Sequence, residues 1–96
     1  MAFVFETDTM TAAEYDGLMA QMGLEETGTV VAAGAIAHIA GPKVDGGWRV
    51  VDVWETEEAA NAFYGSERFA PVRAAAEGAG IRTTPWPVHR IEMLAS

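Results

Sequence analysis

No cysteine occurs in the 96 residues, which excludes disulfides and thiolate metal sites. Basic residues are also scarce. Six Lys and Arg stand against fourteen Asp and Glu, a formal charge of −8, which argues against nucleic acid and anionic membranes, both of which attract clustered cations. No apolar run approaches the roughly 20 residues of a membrane-spanning helix. The opening MAFVFETDTM has no basic n-region, so a signal peptide is not expected and a cytoplasmic location is. There is no GxGxxG, P-loop or GxSxG, and the two histidines, His38 and His89, are far apart with no HxH or HxxxH spacing. Neither a nucleotide cofactor nor a metal is therefore expected. Repeats, low-complexity tracts and linkers are missing too, so residues 1–96 read as a single domain.

Half of the residues are apolar, enough for a core, although a chain this short gains from further burial in an oligomer. Ala2 to Thr7 (AFVFET) reads as strand 1. Thr11 and Glu14 match a capping box, Met10 and Tyr15 a hydrophobic staple, and Tyr15, Leu18, Met19 and Met22 form one helical face that stops at Gly23. Val30 to Ala40 reads as strand 2, Gly41 to Gly47 as a turn, and Trp48 to Glu55 (WRVVDVWE) as strand 3, closing a β-hairpin. Thr56 caps a second helix whose dipole is met by Glu57 and Glu58; Gly65 and Ser66 interrupt it, and Pro71 restarts it as far as Ala79 and Gly80. Thr83 to Pro87, with two prolines, reads as an extended connection, and Val88 to Leu94 as strand 4. The order β-α-β-β-α-β predicts an α+β, ferredoxin-like domain: a four-stranded antiparallel sheet with the helices on one face.

Alternation divides the hairpin into two faces. Val51 and Val53 share one, a natural seat for helices. Ile36, His38, Trp48, Val50, Asp52 and Trp54 share the other, with His38 opposite Val50 or Asp52. That second face is too apolar to be left wet and too polar to be plain core. Aromatic walls around a few convergent polar groups describe a small-molecule pocket, and a second copy of the chain is expected to cover the face. His38 with Asp52 is the candidate general-base pair, since a carboxylate on one ring nitrogen leaves the other free for substrate. Trp48 and Trp54 are candidate stacking walls for an aromatic ligand, with Ile36, Val50 and Tyr15 beside them. Each has a plainer reading: a structural His–Asp hydrogen bond, interface packing of the indoles, and core roles for Tyr15, Phe63 and Tyr64 with one tyrosine hydroxyl reaching the pocket.

The stretch GGWRVVDVWETEEAANAFY, with HIAGP before it and WPVHRIEML after it, resembles the dimeric α/β-barrel superfamily, and more narrowly its antibiotic-biosynthesis-monooxygenase-like branch. The resemblance covers nearly the whole chain. It implies a homodimer whose sheets form a barrel, with one pocket per chain between sheet and helices. It also implies cofactor-free oxygenation of aromatic polyketides, by electron transfer from a substrate anion to O₂. Trp54 matches the Trp that such proteins place at the end of strand 3. Helix 1 offers Tyr15 and Gln21 but no Asn, which monooxygenase members often have, and the His of haem-degrading members is missing from the second helical segment. The expected activity is thus a monooxygenase-like enzyme acting on an aromatic or polyketide-like acid. The alternatives are a cyclase or isomerase on the same scaffold, a non-catalytic ligand-binding dimer, or a structural dimer.

Overall fold

The computed structural model describes residues 1–24 and 32–92. Strand β1 (Ala2–Thr7) leads through a tight loop, in which the Thr7 hydroxyl accepts from the amides of Thr9 and Met10, into helix α1 (Ala12–Gln21). The capping box is formed: Thr11 Oγ1 accepts from the Glu14 amide, and Glu14 Oε1 accepts from the Thr11 amide. Gly23, at φ 74°, turns the chain off the helix. Strand β2 (Ala35–Pro42) starts later than expected, because Ala32 to Gly34 form a turn in which the Ala35 amide donates to the Ala32 carbonyl. Val30 and Val31 lie outside the described residues.

The hairpin turn takes residues 43–47, closed by the Lys43 amide on the Gly47 carbonyl, and delivers the chain into β3 (Trp48–Trp54). Gly47 has φ 87°, and a Cβ there would lie 2.0 Å from the Thr7 carbonyl oxygen, so only glycine fits against the β1–α1 loop. Helix α2 (Glu57–Tyr64) starts on Thr56, whose hydroxyl accepts from the Ala59 amide. A 3₁₀ turn (Glu67–Phe69) links it to α3 (Ala70–Ala79), where Pro71 occupies the first turn and Gly80, at φ 62°, closes the end. Arg73 spans the break, donating to the carbonyls of Tyr64 and Ser66.

Strand β4 is Arg82–Trp86, the segment expected to be a connection; Val88 to Glu92 form no strand, and Met93 and Leu94 lie outside the described residues. Pro85 deceives here because it is a breaker inside a sheet but is tolerated on an edge. The sheet order β2-β3-β1-β4, antiparallel throughout, makes β4 such an edge. This is the expected ferredoxin-like α+β arrangement. Asp8 ties three of its elements together, accepting from Lys43 beside the hairpin turn and from Arg82 on β4.

The assignment of the hairpin's faces is reversed. Tyr15 of α1 bonds His38, Tyr64 of α2 bonds Asp52, and the rings of Phe3, Phe5 and Trp54 all meet Tyr64. The even-numbered side of β3 therefore carries the helices, which cover it in place of a second copy of the chain. Val51 and Val53, with their neighbours Val4, Ile39 and Trp86, lie on the side away from the helices, where Ile39 is 63% and Trp86 53% exposed. A His and an Asp beneath helices are costly only when unpaired, and here hydroxyls from those helices pair them.

Candidate functional site

His38 on β2 and Asp52 on β3 are direct cross-strand partners, so their side chains leave the sheet together. Beyond His38 the register slips between Ala35 and Ala37, and Ile36 sits in the resulting bulge, 38% exposed and out of line with Trp54, which instead pairs with Ala35. Val50 keeps its expected place in the row of Asp52, half-buried between Phe5 on β1 and Ala40 on β2.

A continuous hydrogen-bonded chain runs through this layer, and elementary donor chemistry fixes its direction. An indole N–H can only donate, so Trp54 Nε1 donates to the Tyr64 hydroxyl at 2.9 Å. Tyr64 in turn donates to Asp52 Oδ2 at 2.8 Å. The other carboxylate oxygen, Oδ1, lies 2.5 Å from His38 Nδ1, which must therefore carry its proton. When the ring is neutral, Nε2 is left as an acceptor, and the Tyr15 hydroxyl, 2.5 Å away, is its donor. Along Tyr15–His38–Asp52–Tyr64–Trp54 the His38 side chain is 28% exposed, that of Asp52 12% and Trp54 is buried, with both tyrosines half-buried.

The surroundings of the two ends differ. At the inner end Tyr64 sits among Phe3, Phe5, Trp54, Phe63 and Phe69, with ring centroids 5.0–5.9 Å away, edge-on or tilted as aromatic quadrupoles prefer. Trp54 is thus fixed in a packed aromatic cluster. At the outer end Tyr15 lies 5.2 Å from the buried indole of Trp48 and meets the His38 ring end to end, the two planes 15° apart and their centroids 6.0 Å apart. Burial, then the negative charges of Asp52 and Asp16, push the Tyr15 phenol up to about 12. Burial first, then Asp52, raise that of Tyr64 well above the ordinary tyrosine value. Both hydroxyls are therefore protonated donors at neutral pH.

Of the expected site residues, the structure brings His38, Asp52, Tyr15, Trp48, Trp54 and Val50 into one layer and leaves Ile36 in its bulge. Tyr64, expected as a core residue, is also the donor to Asp52, and both tyrosine hydroxyls reach this layer where one was expected. The signal for it was a buried carboxylate with two oxygens and only one partner, His38, in view; the helix tyrosines were the donors left. Among the described residues no group of three His, Asp or Glu side chains could hold a metal ion. A separate open groove of about 510 Å³ runs between α1 and α3, beside Leu18 and Ala75, and does not reach the hydrogen-bonded chain.

No known family model matches the sequence, and no curated protein matches it. Solved structures do. The chain superposes over its full length on a candidate antibiotic biosynthesis monooxygenase from Deinococcus radiodurans, with TM-score 0.66, 11% identity and all of that chain covered. A mutant of SnoaB, a cofactor-independent oxygenase from Streptomyces nogalater, matches over 94% of this chain and 93% of its own, with TM-score 0.69 and 15% identity. A candidate antibiotic biosynthesis monooxygenase from Chloroflexus aurantiacus matches over 95% and 98%, with TM-score 0.54 and 15% identity. The chain shares the ferredoxin-like scaffold of these monooxygenase-like proteins.

Proposed function

We propose that this chain is a cofactor-independent monooxygenase-like enzyme acting on a flat aromatic or polyketide-like acid, with His38, oriented by Asp52, as its base. The observation that carries the reading is the 2.5 Å contact of His38 Nδ1 with Asp52 Oδ1, beneath the helices of a scaffold also used by a cofactor-independent oxygenase. A carboxylate on Nδ1 holds the tautomer and makes the ring more basic. Removing the substrate proton leaves an anion delocalised over the rings, which yields an electron to O₂ far more readily than the neutral acid. Trp48 and Val50 share its layer, the Tyr15 hydroxyl caps its Nε2, and Ile36 stands at its margin. Association of two copies through the Ile39 and Trp86 side of the sheet, and a cytoplasmic location, belong to the same proposal.

The test is oxygen uptake with 1,8-dihydroxyanthrone as probe, without added flavin or metal. The wild type consumes O₂ with the probe, and His38→Ala lowers the rate by roughly 10²–10⁴-fold, the usual worth of a positioned base. An unchanged rate in a folded His38→Ala protein would sink the assignment. Turnover without oxygen uptake would point to a cyclase or isomerase. One observation favours a structural dimer instead: Trp54, the expected stacking wall, is hydrogen-bonded and packed among Phe63 and Tyr64 as a core residue is. Absence of both binding and turnover of the probe would select that reading, and binding without turnover would leave a non-catalytic ligand-binding dimer.

A further inference from the structure

We infer that the substrate meets the Tyr15 hydroxyl and not the His38 ring, and that Tyr15 and His38 together shuttle a proton, giving the protein an oxygen-independent tautomerase activity. The inference rests on the acid–base reading of this layer. Both nitrogens of His38 are engaged, Nδ1 by Asp52 and Nε2 by Tyr15, so the neutral ring has no lone pair to offer a substrate directly. Tyr15 spends its only hydrogen on Nε2 and keeps its oxygen lone pairs as acceptors. The hydrogen-bonded chain grows more buried from His38 through Asp52 to Trp54, which leaves the Tyr15 and His38 end as the approachable one.

The step balances without an electron acceptor. A C–H or O–H bond of the substrate breaks and its proton forms a new O–H bond on Tyr15. The former Tyr15 proton moves to His38 Nε2, and the electron pair stays on the substrate as a delocalised anion. The imidazolium so formed keeps its Nδ1–H on Asp52, while Tyr64, with Trp54 behind it, acts as a positioning residue that holds the carboxylate's second oxygen. Running the relay backwards returns a proton to the anion; delivery to the original atom is exchange, and delivery to a conjugated atom is tautomerisation. The ligand class is an enolisable aromatic ketone or a phenol.

Anaerobic hydrogen–deuterium exchange at the acidic carbon of 1,8-dihydroxyanthrone in D₂O, followed by proton NMR, reads this step with oxygen chemistry silent. The wild type should exceed buffer-catalysed exchange at least tenfold, and Tyr15→Phe should remove at least nine-tenths of the gain while keeping its near-UV circular dichroism. Nitrogen-15 NMR of the resting protein should show His38 as the neutral Nδ1–H tautomer, with His89→Asn as the assignment control. Wild-type exchange in Tyr15→Phe but not in His38→Ala would overturn the relay and leave the base reading standing. Wild-type exchange in both variants would overturn both. No gain by the wild type, or an Nε2–H tautomer at His38, would overturn the shuttle.

Discussion

Asp52 accepts two hydrogen bonds, from His38 and Tyr64, and presents the same negative charge to Tyr15 and Tyr64. Burial first, and then this carboxylate's charge, disfavour the phenolate form, so both phenols resist ionisation. They are the chain's only tyrosines, which makes the effect measurable in bulk. At about pH 11, where free tyrosine is mostly ionised, the folded protein should show less than half of the tyrosinate absorbance at 295 nm that it shows in denaturant. The sign of the linkage follows. A folded-state value raised from 10.0 to about 12 at Tyr15 contributes stability that is fully present below pH 10 and lost as the pH climbs through 12. Full ionisation in the folded state at pH 10 would mean that neither hydroxyl is held as described.

At the scale of elements, caps and turns carried the legible part of the fold. Thr11 with Glu14 and Thr56 with its acidic first turn marked the helix starts correctly, because a cap is a local contract between residues three apart. Gly41 to Gly47 marked the hairpin, and parity alone placed His38 and Asp52 on one face. What stayed hidden depended on distant partners. Strand β4 hid behind Pro85, harmless only because β4 is an edge. The helix-bearing face of β3 hid behind the polarity of His38 and Asp52, which only hydroxyls from other elements make tolerable. The hairpin itself offers a test. Gly47→Ala adds a Cβ 2.0 Å from the Thr7 carbonyl oxygen at φ 87° and should cost about 2–4 kcal/mol, backbone strain plus a steric clash. Urea denaturation checks it: a midpoint within error of the wild type would show that the β1–α1 loop yields freely.

For the molecule as a whole, the helices cover one side of the sheet, and on the other side Ala2 and Val53 are buried while Ile39 and Trp86 are exposed. Among the described residues no large side chain is completely buried. A small chain with that distribution gains stability by burying apolar surface against another copy. The expected outcome is a dimer by light scattering at micromolar concentration, a more solvent-shielded Trp86 environment in its fluorescence, and conversion to monomer by Ile39→Lys. A wild-type monomer at that concentration would remove the barrel from the proposed function without touching the His38 site on the opposite face.

The five-residue turn at 43–47 has a consequence for how this protein tolerates change. From Pro42 opposite Trp48 the pairing counts evenly up to His38 opposite Asp52, and the bulge at Ile36 lies beyond that point. The turn is therefore the ruler that brings imidazole and carboxylate together, and the bulge absorbs misfit only downstream of them. Spelling is free at the tip of the loop, as the fully exposed Val44 indicates, but Gly47 is fixed and so is the loop's length. Inserting or deleting a single residue there would shift the pairing by one step and send His38 and Asp52 to opposite faces. In a library built on this scaffold, point changes at Val44 and Asp45 should be silent, whereas indels at the same positions should erase the site.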